Sequence, residues 1–492
     1  MDSACGFLGE PMGRELATAA KLFCLTSLSC ATVLNAAATT QPTTSQAMQK
    51  RIHDLQARID ALESHRAANP APASSDAMAP GVMAPIVSDA ERQTQLFTTS
   101  AAAVGYNPNI GFITQSDDGA FSLHPSLLLQ ARYAFDGRNR IIPGHGGVTG
   151  KIGDDSANGF EITRMRLSVD GNALTTLLNY YVQFADDTSM GQATLLDAYV
   201  MYRASPQSPL AVKLGQFKDP LWHEQNLLPS RLLAVDRSLV NSLIGGGQTN
   251  RVQGGAMIYD QDRFRGVVGV DDGYNGANSP WYGPSGTGAG VGAGAGLAPT
   301  DWGAFGRGEY LTIGERAPEI NPFYEYDQFS ARGDKQNILI LGGGFDYSES
   351  GANKIMFHTL DAQFNTSNGW AFYGAYLGCY RNLFTNRGVV PGNYYDSGVL
   401  LQAAYLATDR LEPFIRWDYT HLDGRAEPGI IQDNIDEITI GANYYLLGQT
   451  AKITVDGTWL PNGSPTDVNY LNILQDNSHN EFIVRAQFQL AI

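Results

Sequence analysis

The side chains that could do covalent or metal chemistry are scattered along this sequence. The eight histidines are dispersed and lack the spacing of metal ligands. The phosphate-binding pattern G-x-x-x-x-G-K-[ST], the nucleophile pattern G-x-S-x-G, the zinc pattern H-E-x-x-H and a C-x-x-C pair are all absent. The sequence therefore predicts no catalytic residue, no cofactor and no metal site.

Charged side chains at alternating positions are more informative, because fixed charges along one wall can guide ions. Arg164 and Arg166 stand two positions apart, about 6.6–7 Å along a strand. They could bind an anion one after the other as it moves along that wall. The alternative is pairing across strands with Asp197 or another acid. The candidate pore-lining residues mix both signs of charge and are Arg164, Arg166, Asp197, Arg203, Lys213, Arg416, Asp418 and Lys452.

The elements that must position these charges are β-strands. From about Asn107 onwards apolar residues recur at every second position, as in Met165, Leu167 and Val169. Strict alternation gives each strand one apolar face and one polar face. A soluble β-sandwich alternates in the same way. Segments of about nine to eleven residues and aromatic residues near strand ends favour a tilted membrane crossing. Those aromatic residues are Tyr199, Tyr202, Trp370, Tyr380, Trp417, Tyr419, Tyr444, Tyr445 and Trp459.

The predicted fold is all-β, a closed antiparallel transmembrane β-barrel over residues 107–492. Lipid offers no hydrogen-bond partners, so a sheet that spans it must close on itself. At roughly 22–25 residues for each strand and its loop, this length gives about 16 strands, within a range of 16–18. A barrel of that size leaves an aqueous channel, lined by the polar face.

One long connection, residues 219–250, is predicted to fold into the lumen and narrow it, because long connections in compact folds are often functional. The alternative is an extracellular loop. The candidate constriction residues are Trp222, His223, Glu224, Arg231, Asp236 and Arg237. The Gly- and Ala-rich stretch 283–297 is predicted to be an outside loop. The acidic pairs at strand ends are predicted to be solvated carboxylates, with cation binding at the rim as the alternative. These pairs are Asp117-Asp118, Asp186-Asp187 and Asp271-Asp272.

Residues 1–38 are predicted to be a signal peptide. The positive residues Arg14 and Lys21 precede an apolar stretch, and Ala36-Ala37-Ala38 offers a small-residue cleavage site. A single membrane anchor is the alternative interpretation. Cleavage would leave Cys379 as the one cysteine, so no intrachain disulfide is predicted.

Residues 46–64 are predicted to form a short coiled coil, because Ile and Leu follow a heptad seam. A short amphipathic helix on a domain surface is the alternative. Residues 65–106 form an Ala/Pro/Ser-rich linker with too little apolar content to fold.

Composition excludes other classes of protein. The formal net charge is −16, which argues against nucleic acid as a partner. Only 17% of residues are charged, against about 25% in ordinary globular proteins. After the N-terminal segment there is no apolar run near the ~18 residues that a membrane helix needs.

The stretch from Gly159 to Ser238 resembles the phosphate-selective porin O/P family of outer-membrane porins. The matching residues are Phe160-Glu161-Ile162-Thr163-Arg164-Met165-Arg166-Leu167, Tyr180-Tyr181-Val182-Gln183-Phe184, Leu196-Asp197-Ala198-Tyr199-Val200 and Gly215-Gln216-Phe217-Lys218-Asp219-Pro220. The resemblance implies a 16-stranded barrel, commonly trimeric, with an inward-folded loop at the constriction. Two departures are the mixed charges of the wall and the terminal Ile492, where outer-membrane barrels usually end in Phe.

The sequence thus favours a passive outer-membrane porin for small hydrophilic solutes or ions, with anions such as phosphate as the family's cargo. Its partners would be outer-membrane lipid and a homotrimer, with the N-terminal segment in the periplasm. One alternative is a structural barrel that contacts the cell wall through the coiled coil. Another is a barrel lipid hydrolase, which would need a serine beside the outward-facing His421.

Overall fold

The fold is described from a computed structural model. The described residues are 105–107, 111–116, 118–138, 156–187, 191–279, 301–317, 321–351, 353–383, 391–425, 432–464, 471–473 and 480–492. The predicted signal peptide, coiled coil and linker lie outside these residues, as do Asp117 and the glycine-rich stretch 283–297.

Sixteen long strands form one antiparallel sheet, preceded by two short strands. The short strands are β1 (Gly105–Asn107) and β2 (Gly111–Gln115). The long strands are β3 (Ser122–Arg138), β4 (Ser156–Ala173), β5 (Thr175–Asp187), β6 (Thr194–Arg203), β7 (Leu210–Lys218), β8 (Arg251–Gln261), β9 (Phe264–Asp271), β10 (Trp302–Ile313), β11 (Ile338–Ser350), β12 (Asn353–Asn365), β13 (Trp370–Leu383), β14 (Gly392–Tyr405), β15 (Leu411–His421), β16 (Asn434–Leu447), β17 (Ala451–Leu460) and β18 (Glu481–Ala491).

The sheet closes because the last strand pairs with the first long one. β18 runs antiparallel to β3, from Glu481 opposite Arg138 to Ala491 opposite Leu128. The predicted closed antiparallel barrel of 16 strands is confirmed. Some strands are longer than predicted, and β4 reaches 18 residues. Its first residues, Ser156 to Gly159, pair with β3 although they show no apolar alternation.

Alternation along the strands separates an apolar outer face from a polar inner face. On β15, Ile415 and Trp417 are exposed, whereas Arg416 and Asp418 are each only 1% exposed. The outer side chains cover the hydrocarbon-facing wall and the inner ones meet the lumen. Most of the predicted aromatic girdle lies outside. Tyr199 and Tyr445 are exceptions, because they fall on the inward parity and are buried.

The two ends of the barrel differ in their connections. Even-numbered strands finish at what we call the turn end, where β4–β5, β8–β9, β12–β13 and β16–β17 are joined by tight turns. Leu174 and Asp262 adopt positive φ angles of 67° and 53° in two of them. Odd-numbered strands finish at the loop end. One connection at the turn end is long, residues 314–337, which we call the turn-end segment.

Two connections carry the helices of the described residues. The inward loop, residues 219–250, contains α1 (His223–Asn226), the 3₁₀ turn Pro229–Arg231, α2 (Leu239–Leu243) and α3 (Gly246–Thr249). The turn-end segment contains α4 (Pro322–Tyr326), which begins after the cap Asn321. In the described part of the chain, no helix combines the length and the apolar character needed to cross a bilayer.

The main apolar core lies inside the barrel, where the inward loop packs on the wall. Leu221, Trp222 and Val240 from the loop join Phe357 and Leu400 from the strands in one buried cluster. Burial of each such side chain contributes about 1.5–3 kcal/mol. A glycine in the wall, Gly398, leaves space for α2. A Cβ at Gly398 would lie 2.8 Å from the Val240 side chain, so α2 can approach β14 this closely only over a glycine.

Candidate functional site: the charged lumen

Asp236 of the inward loop is bound by three arginines from three strands. Arg164 of β4 donates to its carboxylate at 2.9 Å, and Arg485 of β18 donates at 3.1 Å. Arg132 of β3 completes the set. All four side chains are buried. The three guanidinium groups hold the pKa of Asp236 well below its usual range, despite the opposing effect of burial. Such charge-assisted contacts fix the loop against the wall.

The inner-wall arginines Arg164 and Arg166 form ion pairs with acids other than Asp197. Arg164 contacts Asp236, whereas Arg166 forms a two-pronged pair with Asp187 at 3.1 and 2.5 Å. Asp197 instead receives two hydrogen bonds from Arg251, at 3.2 and 3.1 Å. The alternative of inter-strand pairing with another lumen acid therefore describes Arg166, whose partner Asp187 ends β5, whereas the acid beside Arg164 lies in the inward loop. Strand alternation gave their direction, but these partners lie in other segments of the chain.

Arg416, Asp418 and Lys452 face the inside of the barrel, and Arg416 and Lys452 contact the inward loop. Arg416 binds Glu437 at 2.6 Å and donates to the Asp236 carbonyl at 2.8 Å. Its guanidinium lies 3.7 Å from Asp418. Lys452 donates to the Leu232 carbonyl at 2.7 Å. All three side chains are at most 1% exposed, and the hydrogen bonds of Arg416 and Lys452 hold the inward loop on the wall.

Lys213 and Arg203 occupy another part of the inner wall. The Lys213 ammonium lies over the rings of Tyr199 and Phe217, at 4.7 and 5.1 Å from their centroids. Such cation–π contacts stabilise a buried ammonium. Arg203 lies on the inward parity of β6 and is half-buried.

Three of the candidate constriction residues hold the loop's own shape. Glu224 accepts hydrogen bonds from the Ser238 backbone N–H and hydroxyl at 3.0 and 2.6 Å. Ser238 in turn caps α2 by accepting from the Asn241 N–H at 3.1 Å. Arg237 donates to the carbonyls of Glu224, Gln225 and Leu227. Trp222 is fully buried in the core of the loop.

His223 and Arg231 face the turn-end segment. The His223 ring stacks on Tyr326 with centroids 3.9 Å apart and planes 19° apart. Burial lowers the pKa of His223 to about 3, so the ring is neutral at physiological pH. Arg231 donates to the Tyr324 hydroxyl at 3.0 Å and lies 4.6 Å from that ring's centroid.

A cavity of about 600 Å³ opens beside these contacts, towards the turn end. Both charged and polar side chains line it, among them Arg166, Gln183, Arg231, Tyr324 and Arg332. Its size is that of a small-molecule site.

The turn-end segment also packs inside the barrel, which the sequence pattern does not predict. Asp327 binds Arg265 at 3.0 and 2.8 Å. The Tyr326 hydroxyl donates to Asp361 at 2.6 Å and accepts from Arg307 at 2.7 Å. The signal available was Asn321-Pro322 before Phe323-Tyr324-Glu325-Tyr326, since an Asn cap followed by Pro starts a helix.

Acidic side chains gather on the other side of the lumen, near the root of the inward loop. Asp219, Asp271 and Asp346 are buried and repel one another electrostatically. Burial raises the pKa of Asp219, which lies just outside β7, to about 6. The prediction that Asp271 is a solvated loop carboxylate is wrong, because it ends β9 on the inward parity and is 7% exposed. Among the described residues, no group of three or more His, Cys, Asp or Glu side chains is placed to hold a metal ion.

A barrel lipid hydrolase would need a serine beside His421. The residue ends β15 on the outward parity, as predicted. Its Nδ1 lies 2.9 Å from the amide oxygen of Asn434, which also accepts from the Tyr419 hydroxyl at 2.7 Å. The described contact is thus with an amide rather than with a serine hydroxyl.

Comparison with known proteins finds similarity to solved outer-membrane barrels. OmpT of Vibrio cholerae is 11% identical, with 77% of this chain and 99% of that chain covered and a TM-score of 0.44. OmpF of Salmonella typhi, solved with daunomycin, is 13% identical over 75% and 98%, with a TM-score of 0.46. The outer membrane channel DcaP of Acinetobacter baumannii is 11% identical over 75% and 97%, with a TM-score of 0.47. No family model and no curated protein sequence matches the chain.

Proposed function

We propose that this chain is a bacterial outer-membrane porin, through which small hydrophilic solutes or ions diffuse passively. The observation that carries the proposal is the closed ring of 16 strands with an apolar outer face and a charged inner face. A barrel of this size is wider than side chains alone can fill, and its interior admits water. The inward loop then narrows that interior from the loop end.

The proposed porin performs no covalent chemistry. Several buried arginines and carboxylates of the lumen form pairs that hold the loop, as at Asp236 and Glu437. Their role is to shape the passage and to set its electrostatic potential. Residues 46–64 would lie in the periplasm, with a homotrimer in the outer membrane as the assembled form.

Selectivity for anions such as phosphate belongs to the proposal only as the role that the porin O/P resemblance implies. A selective anion pore needs an excess of fixed positive charge at its narrowest point. Here Arg166, Arg251 and Arg416 each stand beside an acid, at Asp187, Asp197 and Glu437. This balance favours a general pore with weak ion preference.

Reconstitution of the folded chain in a planar bilayer tests the proposal. With a salt gradient across the bilayer, a porin gives discrete conductance steps, and the sign of the reversal potential gives the preferred ion. A strong anion preference would support the family's phosphate role, and a small potential of either sign would support a general pore. A folded, heat-modifiable barrel without conductance steps would contradict the porin and favour a structural barrel held at the cell wall.

A further inference from the structure

The cavity at the turn end is lined by several separate parts of the chain. Arg166 of β4 and Gln183 of β5 line it from the barrel wall, and Gln449 lines it from the tight turn between β16 and β17. Arg231 belongs to the inward loop, and Tyr324 belongs to the turn-end segment. With a volume of about 600 Å³ the cavity admits a small molecule together with water. A solute that passes this end of the barrel would meet these side chains.

The charged side chains of the cavity differ in the partners that they have. No aspartate or glutamate side chain is among the described residues that line it. Arg166 is paired with Asp187 at 2.5 Å, and Arg332 acts electrostatically on a buried glutamate of β15. Within the described part of the chain, Arg231 forms no ion pair, and its contacts are with the hydroxyl and the ring of Tyr324. Its positive charge is therefore available to an anionic group in the cavity.

Several polar atoms of the lining have no hydrogen-bond partner among the described residues. They are Nη1 of Arg231, the amide oxygen of Gln183, and both the oxygen and the nitrogen of the Gln449 amide. Gln183 donates from its amide nitrogen to the Tyr181 hydroxyl at 2.8 Å, so only its acceptor is unused. Buried polar atoms in proteins normally have partners. The unused atoms include both donors and acceptors, which suits hydroxyl groups because a hydroxyl can donate and accept.

The two observations together restrict the class of ligand. An inorganic anion would match the Arg231 guanidinium but would leave the amides of Gln183 and Gln449 unmatched. A neutral sugar would match the amides but would leave the charge of Arg231 without a partner. A molecule with one carboxylate and a chain of hydroxyl groups matches both kinds of group.

We propose that this cavity is a binding site for small hydroxylated carboxylates, of which sugar acids are the simplest class. The carboxylate pairs with the Arg231 guanidinium, and the hydroxyl groups bond to the amides of Gln183 and Gln449. The inference rests on the proposed channel function, because such a solute reaches the cavity through the barrel. Binding there gives a pore with weak ion preference a preference among solutes of similar size.

The test uses matched probes and a measurement that does not depend on conductance. Calorimetric titration of the folded chain in detergent compares D-gluconate with sorbitol, which has a CH₂OH group in place of the carboxylate. Acetate and inorganic phosphate carry the charge without the chain of hydroxyl groups. Gluconate is expected to bind about tenfold more tightly than each of the other three, because each of them lacks one class of hydrogen bond.

Variants separate the two halves of the site. R231Q should weaken gluconate binding about tenfold and leave sorbitol binding unchanged, whereas R231K keeps the charge and should retain most of the preference for gluconate. Q449L removes the amide at similar size, so it should weaken gluconate and sorbitol alike and leave acetate unchanged. R425Q is the control, because Arg425 is an exposed arginine at the loop end, paired with Asp423. Heat-modifiability on gels verifies that every variant is a folded barrel.

Four results overturn this site while leaving the porin intact. They are no gluconate binding by a barrel that conducts, sorbitol binding as tight as that of gluconate, acetate or phosphate binding as tight as that of gluconate, and an equal loss of gluconate and sorbitol binding in R231Q. The second would make the cavity a site for neutral polyols, and the third would make it a simple anion site. Gluconate binding by a barrel without conductance steps would overturn the porin instead, and with it the passage of this solute.

Discussion

At the scale of residues, the inward loop depends most on one carboxylate. The Asp236 carboxylate forms ion pairs with three arginines, which come from β3, β4 and β18. Without it, Arg132 and Arg485 would keep the carboxylates of Glu161 and Asp456, whereas Arg164 would lose the carboxylate that lies 2.9 Å from its guanidinium. A buried cation that loses its partner is strongly destabilising, by about 3–5 kcal/mol.

The substitution D236N is therefore expected to loosen the loop rather than to unfold the barrel, whose ladder hydrogen bonds are untouched. The amide keeps the shape of the side chain but removes the negative charge. We expect a larger mean conductance with more frequent fluctuations, recorded in planar bilayers. D262N is the matched control, because Asp262 is exposed in a tight turn and Asn tolerates its positive φ angle. Identical traces for D236N and D262N would contradict the role of Asp236.

At the scale of elements, the position of α2 depends on a glycine in the barrel wall. α2 lies against β14 over Gly398, and a Cβ there would also lie 3.1 Å from the Tyr419 carbonyl oxygen. Overpacking of a dense core costs about 1–3 kcal/mol. If this contact were overpacked, α2 would shift rather than β14, because β14 is hydrogen-bonded to a strand on each side.

G398A is expected to push α2 away from the wall and to make the inward loop more susceptible to limited proteolysis. The double variant G398A/V240A should restore resistance, because it removes the methyl groups that the new Cβ meets. G159A is the control, since a Cβ at Gly159 meets nothing within 4 Å. If G398A and G159A are cleaved at the same rate, the contact of α2 with β14 does not hold the loop.

The sequence could predict the direction of side chains on these elements but not their partners. Alternation is local, so the inward direction of Arg164, Arg416 and Lys452 follows from their neighbours. The partner of Arg164 lies 72 residues away in a loop whose path depends on the whole lumen. The turn-end segment was missed for a related reason. A helix of one turn has little periodicity, and only the packing of Tyr326 and Phe329 inside the barrel distinguishes it from a surface loop.

At the scale of the whole molecule, the lumen has an uneven distribution of charge. Arginines gather where β3, β4, β15 and β18 meet the inward loop, and the acids Asp219, Asp271 and Asp346 lie near the loop's root. Fixed charges of opposite sign in a narrow passage give it a potential that depends on which groups are ionised. The arginines stay charged at all relevant pH values, whereas buried carboxyl groups such as that of Asp219 change their charge with pH.

Asp219 makes this change measurable, because its pKa of about 6 lies within the working range of a bilayer experiment. Below pH 6 the carboxyl group is protonated and neutral, and above pH 6 it adds a negative charge. The reversal potential in a KCl gradient is therefore expected to shift towards cation preference between pH 5 and pH 7. D219N removes this ionisable group and should make the shift smaller. A shift of equal size in D219N would assign it to other carboxylates, and it would show that Asp219 contributes little to the potential along the solute's path.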